Sequence, residues 1–204
     1  MLELPSAGND ALSRAHDIPE LMFFIFVAVA KLDDLMNSSY LEGVKISRII
    51  QFEMAFEGII KNGEAHNVDL IVMGSHGASG FQEMFIGSNT EKVVRNSEVP
   101  VLVIKREEDT FSASKFVFAS DFSDEIKKPF EKVVEFVNKF GSHLYLANIN
   151  TPNNFKSTKV AQKQMDEFIA NFKIDNYSTH IYNDVNVEKG ILHFAKSIDA
   201  DIIG

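Results

Sequence analysis

Short runs of alternating or continuous apolar residues recur along the chain, and each leads into a stretch with apolar positions three or four apart. Ile46 to Phe52 (ISRIIQF) and Ser178 to Asp184 (STHIYND) alternate as strands do, and each is followed by a helical stretch of about three turns carrying a glycine. Sliding the chain on itself by 132 positions superimposes Gly58-Ile59-Ile60 on Gly190-Ile191-Leu192 and Asp69-Leu70-Ile71 on Asp201-Ile202-Ile203 without a gap. An internal repeat follows, each copy running strand, helix, buried strand.

The later copy shows more of its beginning. Lys115 to Ser120 (KFVFAS) predicts a strand, Asp124 to Phe140 a helix ended by Gly141, Leu144 to Asn150 a strand and Lys159 to Phe172 a helix. The earlier copy shows more of its ending. Asp69 to Met73 predicts a strand, 74–87 a glycine-punctuated loop, Ser88 to Asn96 a helix, and Val99 to Lys105 (VPVLVIK) a strand. Strands alternating with helices predict an α/β fold, an open parallel sheet with helices on both faces, because parallel neighbours are joined by crossovers. The domains expected are residues 1–106, a linker 107–114 and residues 115–204, with 6–18 an extra loop. Merging the copies gives one unit, β-α-β-α-β-α-β-loop-α-β, of which the first copy lacks the opening β-α-β and the second the closing loop-α-β. Two readings stay open: a tandem protein of about 270 residues cut at both ends, or a short product that completes its sheet by pairing with another chain.

The ten-residue apolar stretch Leu21 to Ala30 is too short to span a bilayer and has no basic region before it, and is read as a buried helix. The 204 residues carry 20 basic and 29 acidic side chains, a net charge of -9. The excess is shared, 14 acids and 9 bases in 1–106 against 15 and 11 in 107–204, so neither half offers the basic surface that tracks nucleic acid. With no cysteine, thiolate chemistry and cysteine-ligated metals are excluded; 18 Phe without a Trp read as core filling.

Candidate chemistry gathers after the strand Asp69 to Met73, where the chain reads GSHGASGFQEMFIGSNTEKVVRN. Glycines at 74, 77, 80 and 87 let backbone approach a ligand, and a helix starting at Ser88 offers unsatisfied N–H donors and the positive end of its dipole, a combination suited to phosphate. The same residues are compatible with tight turns alone, Ser88 capping the helix and Glu91 closing a capping box. There is no Gly-Lys-Ser/Thr of a Walker loop and no Rossmann fingerprint. No two of the six histidines have the spacing of a helical metal site, and no metal or catalytic residue is assigned; His76, within the loop, suits either phosphate bonding or scaffolding.

The pattern Gly74-x2-Gly77-x9-Gly87-Ser88, preceded by DLIVM and followed by EKVVRNSEVPVLVIK, resembles the nucleotide-binding signature of the universal stress protein family, and FASDFS at 118–123 resembles that family's first strand with its aspartate. The resemblance implies a cytoplasmic protein that, in the ATP-binding subclass, holds ATP, with or without Mg²⁺. By that resemblance Met73, Gly74 and Gly77 would line the ribose and phosphate approach, Gly87, Ser88 and Asn89 would hold phosphates, and Asp121 would stand near the nucleotide. Ala119 departs from the family's usual proline. Asp121 belongs to one copy and the loop to the other, so neither copy carries a whole site of its own. The functions entertained are an ATP-binding stress-response switch or sensor, a nucleotide-free interaction module working through an exposed sheet edge, and a weak ATPase. Phosphoryl transfer needs cationic charge at the phosphates, and the nearest bases, Lys92 and Arg95, lie one and two turns into the helix, so hydrolysis is expected to be slow at most. Val99 to Lys105, apolar on both faces, is the segment expected to self-associate.

Overall fold

The structure, a computed structural model, describes residues 18–51, 54–75, 86–105 and 110–204. It divides into two compact units, Met1–Glu107 and Glu108–Gly204.

In the first unit, α1 (Ile18–Met36) and a single 3-10 turn (Ser39–Leu41) precede α2 (Ala55–Ala65), β1 (Ile71–Gly74), α3 (Ser88–Asn96) and β2 (Val101–Ile104). β1 and β2 pair in parallel, Ile71 opposite Val101 through Gly74 opposite Ile104. α2 packs on α3, where the Lys92 ammonium stands 4.9 Å over the Phe56 ring, and Val93 is fully buried.

Two expectations are corrected in this unit. Residues 46–51 form neither strand nor helix; a strand needs a neighbour for its backbone groups, and none of the described strands flanks this segment. Phe52, the last residue of that expected strand, lies outside the described residues. Leu21 to Ala30 is helical within α1 but not buried: Phe23 is 63% and Phe26 72% exposed. An apolar helix is buried only if a sheet or helix lies against it, and α1 makes no extensive contact with another described element. An ion pair from Arg48 to Asp33 ties the following segment to α1. No described helix is long and apolar enough to cross a membrane.

The second unit runs β3 (Lys115–Ala119), a 3-10 turn (Asp124–Ile126), α4 (Lys127–Phe140), β4 (His143–Asn150), α5 (Thr158–Ile169), β5 (Tyr177–Asn183), α6 (Val187–Ser197) and β6 (Ile202–Ile203). All four strands are parallel, in the order β5-β4-β3-β6. Side-chain alternation splits the core between the two faces of this sheet. Phe116, Leu144 and Leu146 point toward α4 and α5, meeting Phe130, Met165 and Phe168; Val117, Ala147 and Ile149 point the other way, onto Phe194 and Ala195 of α6. This is the doubly covered parallel sheet that the pattern predicts. Phe130, fully buried, holds ring-to-ring contacts at 4.8 Å to Phe118 and Phe172 and 5.0 Å to Phe168, so the phenylalanine-rich composition goes into packing. Gly141 takes the left-handed conformation, φ +65°, that stops α4.

Under the 132-residue shift α2 and α6 coincide end to end, Ala55–Ala65 on Val187–Ser197. Gly58 and Gly190 are buried on these helices.

Candidate functional site

At the carboxyl end of β1, Gly74 leads into Ser75, a buried residue whose N–H donates to Ile104 O of the neighbouring strand at 2.8 Å. The chain returns at Gly87, whose N–H donates to Ser75 O at 2.6 Å. One turn later the buried Thr90 hydroxyl donates to Gly74 O at 2.9 Å. These bonds fasten the start of α3 to the end of β1, so Met73, Gly74, Gly87, Ser88 and Asn89 meet at one end of the two-stranded sheet. Gly77, His76 and the rest of 76–85 lie outside the described residues.

The helix start corrects the alternative in which Ser88 is the cap. Gly87 is the N-cap, with extended backbone (φ −58°, ψ 145°), and makes no side-chain cap bond. Glu91 accepts from Arg95 Nε at 3.0 Å rather than reaching back. A glycine cap brings no side-chain oxygen of its own to the positive end of the helix. Both nearby bases face elsewhere, Arg95 to Glu91 and Lys92 to the Phe56 ring.

Asp121 belongs to the second unit, just past the carboxyl end of β3. Its Oδ1 accepts from Ser123 N at 3.0 Å, and Gln164 Nε2 donates to its carbonyl at 2.8 Å. The Ser123 N–H holds the carboxyl below the usual carboxylate range against the opposing effect of burial, helped by the Ser123 hydroxyl, the Lys156 charge and the Ser120 hydroxyl. The same turn sets Phe122 in left-handed backbone, φ +57°, with its ring buried. Asp121 thus organises a turn upstream of the 3-10 helix whose cap is Ser123, rather than capping the helix at Asp124 itself. Sequence reasoning did not single out Thr90 or Ser75; a hydroxyl residue in the first turn of a helix after a glycine loop was the only signal to find.

Residues 16–105 match the universal stress protein family. Over 119 residues the chain is 35% identical to the universal stress protein YxiE of Bacillus subtilis, covering 51% of this chain and 78% of that protein. Over 76 residues it is 40% identical to a universal stress protein of Methanocaldococcus jannaschii, covering 37% of this chain and 47% of that one, so the chain spans about half the length of that relative. A crystal structure of a universal stress protein from Archaeoglobus fulgidus superimposes with a TM-score of 0.68 at 28% identity, covering 93% of this chain and 67% of that one. With a relative matched over most of its length and a fold of parallel sheets covered by helices, the chain belongs to the universal stress protein family.

Proposed function

We propose that this chain is an ATP-binding switch or sensor of a stress response, cytoplasmic and of tandem organisation, with the phosphates held where α3 starts. The observation that carries the reading is the glycine-capped start of α3, bonded to the end of β1 through Gly87 and Thr90. Met73, Gly74 and Gly77 form the approach, Gly87, Ser88 and Asn89 hold phosphate oxygens, and Asp121 is the aspartate of the family's first strand. With Arg95 and Lys92 turned to other partners, catalysis is slow hydrolysis at most.

The test is to denature the purified chain, identify released nucleotide by mass spectrometry, and titrate the chain with ATP and Mg²⁺ in parallel. Released or titratable ATP is expected. A Gly77→Val variant is expected to lose it, a branched side chain blocking backbone approach, while keeping the circular dichroism of the parent. Undiminished ATP binding by that variant would remove the loop from the site.

A second reading, an interaction module that binds no nucleotide, is favoured by the far edge of β2, which no described strand pairs. Self-association through Val99 to Lys105 follows, since an open apolar edge recruits another strand. Sedimentation velocity should show mass rising with concentration, and Ile104→Lys, at an exposed position, should shift the chain toward monomer. A parent that stays monomeric at every concentration defeats this reading.

A further inference from the structure

Away from the loop, three polar side chains meet on one face of the second unit's sheet. His143 opens β4, while Ser178 and His180 lie on β5, the outermost of the described strands in this sheet, which among them pairs with β4 alone. His143 Nε2 stands 2.9 Å from Ser178 Oγ, and His180 Nε2 stands 2.9 Å from the same oxygen. All three residues are half-buried. We propose that His143, Ser178 and His180 form a proton-operated latch that fastens edge strand β5 to β4 while at least one imidazole is neutral and slackens when both are charged.

The reason is the proton inventory of a hydroxyl. Ser178 has one O–H to give and lone pairs to accept with. When both rings are neutral, one Nε2–H donates to Oγ and the Oγ–H donates to the other Nε2, so both contacts are good hydrogen bonds. With one ring charged, that ring donates and the hydroxyl still donates to the neutral one. When both rings are charged, both nitrogens are donors, the hydroxyl proton has neither ring to go to, and two cations face each other across one oxygen atom.

The surroundings do not relieve that repulsion. From β4 the Tyr145 ring lies 4.3 Å from the His143 ring and 5.7 Å from the His180 ring; from α6 the Phe194 ring lies 5.1 Å from His180 and 5.6 Å from Tyr182 of β5. The charged group from β3 is Lys115, opposite His143 in register, whose ammonium donates to Ile198 O and whose N–H is taken by Asp201. On α6, His193 is paired with Asp184 at 2.7 Å, and Lys196 adds another cation near the helix end. From α5, against the opposite face, the polar contact to β5 is Gln162 to Thr179. Among the described residues no carboxylate pairs with either ring. Burial, and then the charge of His143, hold His180 below the ordinary imidazole value, as this geometry requires.

The sign follows. An unfolded histidine takes its proton near pH about 6.5. Folded His180 resists it, so below that pH the unfolded state binds more protons and the attachment of β5 weakens as pH falls. Above about pH 7 the latch is closed.

The test uses the full chain with ¹⁵N-labelled histidine. His180 should titrate below the value for a free imidazole and move up toward it in His143→Gln. Amide exchange in Ser178–Asn183, corrected for intrinsic rates, should lose about tenfold protection between neutral pH and about pH 5.5, and His143→Gln should flatten that dependence. Ser178→Ala, a small change that keeps the strand, should lower protection already at neutral pH. A His180 that titrates at the ordinary value and is indifferent to His143→Gln, or β5 protection that does not change with pH, overturns the proposal.

Discussion

A methyl group at Gly190 has no room: a Cβ there would stand 2.4 Å from Ile149 Cγ2 and 3.2 Å from Asp184 Cβ. Ile149 is buried in β4 and cannot step aside cheaply, so Gly190→Ala is expected to cost about 1–3 kcal/mol, in spite of a helix-propensity gain of about 1 kcal/mol. At Gly58 the obstacle is Gln51 Oε1, 2.3 Å away, the end of a flexible side chain, buried and without a hydrogen-bond partner among the described residues. Gly58→Ala is therefore expected to cost less, within about 1 kcal/mol. Urea unfolding of the two variants checks the contrast, and equal losses would mean that close approach is not what these glycines provide. The repeat made both glycines legible as equivalent, but not the difference between them, because that depends on which side chain lies opposite. Asp121 is similar: its presence after a strand was plain, whereas its bond to Ser123 N arises from a turn whose left-handed Phe122 has no sequence signature.

Thr90 joins helix to strand. Replacing it by valine keeps the shape and removes the donor to Gly74 O; Gly74 is itself exposed, so the loss is that of a single hydrogen bond, about 0.5–1.5 kcal/mol. Thr90→Val is expected to lower the melting temperature and to weaken ATP binding together; unchanged values in both measurements would make the tie incidental. α3 was legible to its last residue because the apolar run before the loop, Gly87 and the following strand bracket it. The second unit's strands and helices were also legible, each carrying its own periodicity and having neighbours to pair with. Residues 46–51 carry the same alternation and form no strand, since alternation states which face is apolar but supplies no neighbour. α1 shows the complementary case, in which apolar composition predicted the helix and its burial required an element that the pattern did not specify.

At the scale of the molecule, the carboxylates perturbed among the described residues, Asp121 and Asp184, both lie in the second unit. Asp184 is held low first by its bond to His193 and then by the Val185 N–H. Both protonate less readily folded than unfolded, so their stabilisation is present above the unfolded value of 3.8 and is lost as pH falls below it. Thermal melts followed by circular dichroism should therefore show a further drop below about pH 4, and Asp184→Asn should reduce it. A melting temperature that is level from pH 5 to about pH 3 would contradict this. The bonds from Gly87 to Ser75 and from Thr90 to Gly74 have a consequence for variation. They close the ring of chain between strand and helix by contacts that belong to the scaffold, so the entropy of closure is met before any ligand arrives. An insertion within that ring then costs only about 0.6 kcal/mol for each doubling of its length, so its sequence and length can drift while the sheet beneath keeps its stability.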